Sequence, residues 1–443
     1  MSKTPVCDFL KKYRDNSLRF HMPGHKGAEG IEKDDITEID GADVLYAPRG
    51  VILESEKTAS KIFGSKATFY STEGSSLSIR ATVYLTAAYA KSLGKDCKIA
   101  AVRNVHASFV SACALNGVDP VWVYGDNDSL ISCTPDLIFL KELLQREKPT
   151  ALYLTSPDYL GNRSDIGQIS KICHDENVLL IVDNAHGAYL KFTSEKSHPL
   201  DLGADISIDS AHKTLPCLTG TAYLHFGKTA PDFFVENANF ALNLFASTSP
   251  SYLLISSLDA FNGKAECFKK EVEKSSIAVA AVKSRLENNG YTLVGDEPLK
   301  ITLSTKSYGY SGDEMATILK EKGIYAEFYD DDYITFMIAP ANGEEALNFL
   351  ASSLLSIPKK KPITKKPPKA VVGVKALSIR DAAFSNFEEV AITNSEGKIL
   401  AGLTLSCPPA IPILICGEVI TKETISCFNY YGIEKVKIVK ARL

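Results

Sequence analysis

The chain has 443 residues, 45% hydrophobic and 23% charged, which is enough apolar content to fill more than one core and excludes disorder over most of its length. Its 49 Lys and Arg against 53 Asp and Glu leave a formal charge of −4, so the global charge points to neither nucleic acid nor an anionic membrane, and any anion must be bound locally. The N-terminus lacks the apolar run of a signal peptide, the longest uncharged stretch (238–258) is broken by Pro250, and the ten cysteines form no C-x-x-C pair and have no His at ligand spacing. The expectation is a cytoplasmic protein without a membrane span, disulfide framework or metal.

Residues 1–45 read as an N-terminal arm. From about 66 to 226, within a large domain at 46–260, short apolar runs alternate with amphipathic stretches: ATFY, KIAAV, PVWVY, TALYL, VLLIVD, DISID and TAYLHF are strand-like, and 76–91, 135–147 and 165–176 carry helical periodicity. Seven strands with helices on both faces predict a doubly wound α/β domain with a mostly parallel sheet, whose ligands lie beyond the carboxyl ends of strands. A long helix over 265–289, strand-like YTLVGD, LKITLST and YITFMIAP, and a charged helix over 313–322 predict a smaller α+β domain at 261–358. The Lys/Pro-rich run 359–369 cannot build a core and reads as a linker. Residues 370–443, with the loop CPPAIP between two strand-like runs, form a third, C-terminal α+β domain.

The chemistry-bearing residues follow strands. VLLIVDNAHGAY places Asp183 at the end of one strand, and DISIDSAHK places Ser210, His212 and Lys213 just past the next. A carboxylate and a lysine at one edge of a sheet are what pyridoxal 5′-phosphate (PLP) needs: the lysine joins the cofactor aldehyde and the carboxylate holds a proton on the pyridine nitrogen. STEGSS (71–76), between a strand and a helix, offers Gly74, Ser75 and Ser76 as a phosphate receptor at a helix N-terminus. Taken singly, each of these has an ordinary reading as a solvated lysine, a turn or a cap. Their order along one α/β pattern is what points to PLP. Gly227–Lys228–Thr229 falls short of a P-loop because Ala222 stands where glycine is required, and the chain has no G-x-G-x-x-G after a strand, no H-E-x-x-H and no G-x-S-x-G.

HMPGHKG (21–27), RNVHASF (103–109), DNAHGAY (183–189), SAHKTLPCLTGTAYLH (210–225), STSPSYLLISSLD (247–259) and CPPAIPILICGE (407–418) together resemble the Orn/Lys/Arg decarboxylases, in particular the shorter Gram-positive type without a wing domain. The resemblance runs from about residue 17 to 435. It implies PLP fold type I and decarboxylation of a basic amino acid to CO2 and an amine of polyamine metabolism. It also implies a homodimer or larger homo-oligomer with shared active sites. By that likeness Lys213 is the Schiff-base lysine, Asp183 the partner of the pyridine nitrogen, Ala185 lies under the ring, His186 near its phenolic oxygen and His106 on its other face. Gly74, Ser75, Ser76, Ser210 and His212 hold the phosphate, with Thr248 or Ser249 arriving from the neighbouring subunit. Glu418 reads the distal cation of the substrate, and His21, His25 and Lys26 line the partner's entrance. The chain departs from the family pattern at Glu73, Ser78, Ile79, Ala107, Gly220–Thr221, Cys407 and Ala410, which leaves the choice of substrate open. An aminotransferase would instead need an arginine clamp, for which Arg380 is the C-terminal candidate, and a non-catalytic homologue would not need Lys213 at all.

Overall fold

The seven apolar runs become β1 (Ala67–Ser71), β2 (Ile99–Val102), β3 (Val121–Val123), β4 (Ala151–Thr155), β5 (Leu179–Asp183), β6 (Ile206–Asp209) and β7 (Ala222–Phe226), in the sheet order β1-β7-β6-β5-β4-β2-β3. The coordinates are a computed structural model that describes residues 3–28, 33–125, 129–407 and 411–440. Around these strands the helices are α1 (Pro5–Asn16), α2 (Val51–Phe63), α3 (Gly74–Ser92), α4 (Ala107–Asn116), α5 (Leu137–Glu147), α6 (Ile166–Asp175), α7 (Ala211–Thr214), α8 (Asp232–Phe245) and α9 (Tyr252–Asn288). The chain divides into two compact units, Met1–Cys97 with Ile166–Glu273 and Lys98–Asp165 with Lys274–Leu443.

In the first unit β7 runs antiparallel to both β1 and β6, while β5 and β6 are parallel with Asp183 opposite Ile208. That register brings Asp183 and Asp209 to the same end of neighbouring strands. β5 and β6 are almost wholly buried, which is why their sequences are continuous apolar runs without a polar alternation. Two loops position helices here. The Asp43 carboxylate accepts backbone N–H groups from Val44, Arg49, Gly50, Ile52 and Leu53, gathering the start of α2 around one anion. α3 opens on Gly74 at φ +69°, a left-handed conformation that an L side chain resists, and it packs along α8 through Tyr84 against Phe240 and Phe245 and Tyr89 against Phe233 and Phe234.

In the second unit β2 pairs in parallel with β3 and β4. β8 (Thr292–Val294), β9 (Lys300–Ser304), β10 (Phe328–Tyr329) and β11 (Tyr333–Met337) form an antiparallel sheet in the order β10-β11-β9-β8, accompanied by α10 (Gly312–Lys320) and α11 (Gly343–Leu355). α10 starts on a capping box in which Ser311 and Glu314 exchange hydrogen bonds. Towards the C-terminus follow α12 (Ile379–Ala383), β12 (Phe387–Ala391), β13 (Thr404–Cys407), β14 (Ile411–Ile415), α13 (Lys422–Tyr430) and β15 (Lys435–Val439). β12 pairs with β15 and β13 with β14, around a core that includes Ile413, Leu414, Phe428 and Ile438.

The Lys/Pro run has no regular structure and is mostly exposed, yet it is fastened along its course. The N–H of Lys360 donates to Tyr308 O and that of Ile363 to Lys306 O. The ammonium groups of Lys360 and Lys365 lie 4.0 and 4.3 Å from the ring centres of Tyr310 and Tyr430. One expected element differs. The long helix begins at Tyr252 rather than near 265, because Ser251 O accepts the first helical bonds and Ser256 folds its hydroxyl back onto Leu253 O. Of CPPAIP, Cys407 ends β13 and Ile411 and Pro412 open β14, and residues 408–410 lie outside the described residues.

Candidate active site

Within the first unit, β5 ends on Asp183 and β6 on Asp209, followed at once by Ser210 and the single turn α7 that carries His212 and Lys213. A strand that stops at the sheet edge and turns directly into a helix aims the first few side chains past that edge. Asp183 is 2% exposed, and its Oδ1 accepts the N–H of Ala185 at 3.2 Å. Lys213 Nζ stands 3.0 Å from His186 Nε2, so an ammonium here donates to the ring, and His186 itself is buried. Ser210 Oγ donates to Ser75 Oγ at 2.9 Å, which joins the end of β6 to the first turn of α3.

The amides of Ser75 and Ser76 belong to that first turn, where intrahelical carbonyls cannot reach, and a Cβ added at Gly74 would meet open space. The Gly220–Thr221 turn braces this end. Gly74 N–H donates to Gly220 O at 2.7 Å and His212 Nδ1–H donates to Thr221 O at 2.8 Å. Glu73 does not point its charge at the helix start. Its Oε1 instead accepts the N–H of Ser247 at 2.7 Å, in the segment that carries exposed Thr248 and Ser249. Buried anion partner, lysine, helix N-terminus and converging hydroxyls are the donor and acceptor set that PLP requires, so the residues fit the cofactor.

In the second unit, His106 caps α4. Its Nδ1 accepts the N–H of Ser108 at 3.1 Å and lies 2.8 Å from the Ser108 hydroxyl. Glu418 is 4% exposed. Its Oε2 accepts Ile415 N–H at 2.8 Å and faces Arg103 Nη2 at 3.4 Å, while Arg103 also donates to Pro412 O and Ile413 O. Arg103 and Asn104 line a cavity of about 150 Å³ together with Tyr124, Ser129, Cys133 and Val372. Arg380 donates to Ala114 O and Leu115 O at the end of α4, which commits its guanidinium to a helix terminus. In the N-terminal arm, His25 Nδ1 accepts Gly27 N–H, its Nε2 is 3.2 Å from Asp35, His21 Nε2 is 2.5 Å from Tyr13 OH, and Lys26 donates to His21 O.

Residues 4–289 match the family described as Orn/Lys/Arg decarboxylase, major domain, and residues 361–436 match Orn/Lys/Arg decarboxylase, C-terminal domain. The chain belongs to the Orn/Lys/Arg decarboxylase family. Among curated relatives of this family member, an arginine decarboxylase of Bacillus subtilis (strain 168) is 27% identical over 96% of the chain and 92% of the relative. The uncharacterized protein YaaO of the same strain is 30% identical over 95% and 93%. The solved lysine decarboxylase LdcF of Francisella novicida superposes with a TM-score of 0.83 at 16% identity, covering 99% of the chain and 81% of that structure. That likeness is one of fold, and the fold is type I of the PLP-dependent enzymes, as the resemblance of the motifs implies.

Three residues carried no assigned role in the sequence reading: Asn184 and Asp209 in the first unit and Arg103 in the second. Arg103 is the first residue past β2 and Asp209 the last of β6, so a strand-end rule applied to every polar residue, rather than to those flanking Lys213, would have singled them out.

Proposed function

We propose that this family member is a PLP-dependent decarboxylase of arginine, lysine or ornithine that releases CO2 and the corresponding amine. The observation that carries the reading is the pairing of buried Asp183, at the end of β5, with Lys213, just past the end of the adjacent parallel strand β6. When bound, PLP supplies an electron sink for the pair left behind as a carboxylate departs. Asp183 would hold a proton on the pyridine nitrogen, a charge-assisted bond strengthened by its burial. Lys213 would hold the aldehyde carbon, and its Nζ can exchange a proton with His186. Ser75, Ser76, Ser210 and His212 would hold the phosphate at the start of α3. Ala185, His186 and His106 would contact the ring, and Thr248 would come from a neighbouring subunit of a homodimer or larger assembly.

Glu418 would read the distal cation of the substrate, in competition with Arg103 for the same carboxylate. The reading includes a cytoplasmic role in polyamine synthesis and domains at 46–260, 261–358 and 370–443, the last two joined by the Lys/Pro linker at 359–369. The test is an assay of the purified protein with arginine, lysine and ornithine for CO2 and the matching amine. One substrate should turn over, and Lys213→Ala should abolish both product and cofactor colour. Bound PLP with none of the three converted would refute the substrate class and leave the cofactor assignment standing.

A further inference from the structure

Beneath the Asp183 and Lys213 edge of the first unit lies a wholly buried polar cluster made of His198, Asp209 and His225. The trio has the residue types of a metal site, but the hydrogens decide otherwise. His198 Nδ1 accepts Leu200 N–H, so its other nitrogen carries the ring proton and donates to Asp209 Oδ2 at 2.8 Å. Asp209 Oδ1 accepts Ser207 Oγ–H at 2.7 Å and Asn184 Nδ2–H at 2.9 Å. His225 faces Asp209 at 3.7 Å, with its Nδ1 2.7 Å from the Thr68 hydroxyl. The result is one buried carboxylate satisfied by three donors. Burial works to raise its pKa, and His198, then His225 and Asn184, outweigh that and hold it below the usual carboxylate range.

The bond from Asn184 crosses between strands. Asn184 directly follows Asp183, and Asp209 directly precedes Ser210, which is itself bonded to Ser75. The backbone ties the same two ends, with Asn184 N–H donating to Ile208 O. We propose that Asp209 is a positioning residue which, through Asn184, fixes the β5 terminus against the β6 terminus and so sets the placement of Asp183 and Lys213 for the cofactor. Because a carboxylate only accepts, the Asn184 amide must present its NH2 group, and this fixes the orientation of the side chain that follows Asp183. The inference rests on the PLP reading.

The experiment measures PLP affinity by absorbance titration of the stripped protein, alongside its urea unfolding, for wild type, Asn184→Ala, Asn184→Asp, Asp209→Asn and the Asn184→Ala/Asp209→Asn double variant. Asn184→Ala should weaken PLP roughly tenfold by leaving one lone pair of a buried carboxylate unsatisfied. Asn184→Asp should weaken it further, by about a hundredfold, since it sets a second anion against Asp209. The double variant should be no worse than the weaker single, because both cut one link. A pure packing role reverses the order, with isosteric Asn184→Asp milder than Asn184→Ala. That order, or unchanged PLP affinity with only the urea midpoint lowered, overturns the proposal. Should Asp209→Asn not fold, the ranking of the two Asn184 variants alone decides. Failure of the wild type itself to bind PLP overturns the cofactor reading as well, and is told apart by that control.

Discussion

Replacing Glu418 with Ala tests a buried ion pair whose carboxylate the family resemblance assigns to the substrate. Arg103 and Glu418 side chains are 8% and 5% exposed and 3.4 Å apart. At an effective dielectric constant of about 20 their attraction amounts to about 5 kcal/mol, most of it offset by the cost of taking both ions out of water. Removing one partner leaves the other buried and uncompensated, which costs roughly 3–5 kcal/mol. In a unit of this size each kcal/mol moves the melting point by about 2–4 °C, so Glu418→Ala should lower it by roughly 6–20 °C in a thermal scan of the holoenzyme. Glu418→Gln should lose less, because its amide oxygen can still accept from Ile415 N–H. The close approach of Gly373 supplies an independent check: a Cβ there would lie 2.2 Å from the Glu418 carboxyl group, so Gly373→Ala must push that side chain off Arg103 and reproduce the defect. A melting point for Glu418→Ala within about 2 °C of wild type would refute the energetic argument. An unchanged melting point with a raised KM would then assign the carboxylate to substrate alone.

Further measurements follow from other buried groups. Burial pushes Glu56 up to about 8, opposed by the Tyr70 N–H and assisted by the Asp43 charge, so the folded chain keeps a proton that the unfolded chain releases near 4.5. Its contribution to stability therefore declines as pH rises between those values, and Glu56→Gln should flatten that decline in urea titrations at pH 5, 6, 7 and 8. Asp43→Ala removes the anion that gathers five backbone N–H groups and should cost about 1–2 kcal/mol in equilibrium unfolding, with the loss matched in wild type only when acid protonates Asp43 below its usual range. Burial holds Cys173, Cys217 and Cys416 up to about 12, whereas Cys267 is exposed. A thiol reagent at pH 8 should therefore label Cys267 first, as read by peptide mass, and early labelling of Cys217 would contradict this order.

The large sheet was legible because its strands are buried on both faces. IAAV, TALYL and LLIVD have no polar alternation to confuse with a helix face, and LLIVD ends on the buried Asp183. Lys213, Asp183 and Ser210 were legible for the same reason, each standing at or just past such an end. The sequence concealed what depends on pairing across distance. Nothing local indicates that Glu73 turns to Ser247, that Arg380 closes the end of α4, or that Asn184 donates to Asp209, because each partner arrives from a remote segment. The serines around 251–257 lowered the helical signal of what is the first part of α9, where hydroxyls bond back to the preceding turn and the helix continues. The arm helix α1, despite burying Val6 and Leu10 one turn apart, and the two-residue strand β10 were not read from the sequence.

The fastening of the Lys/Pro run to Lys306 and Tyr308 changes what that segment is for. A tether that hung loose would let its length be altered at little cost, but here each added residue would slide the lysines off the tyrosine rings and peel two amides from their carbonyls. The segment behaves as a zip, and a truncated protein ending before it would take the amide donors away from the Lys306 and Tyr308 carbonyls and the lysines away from the rings of Tyr308 and Tyr310.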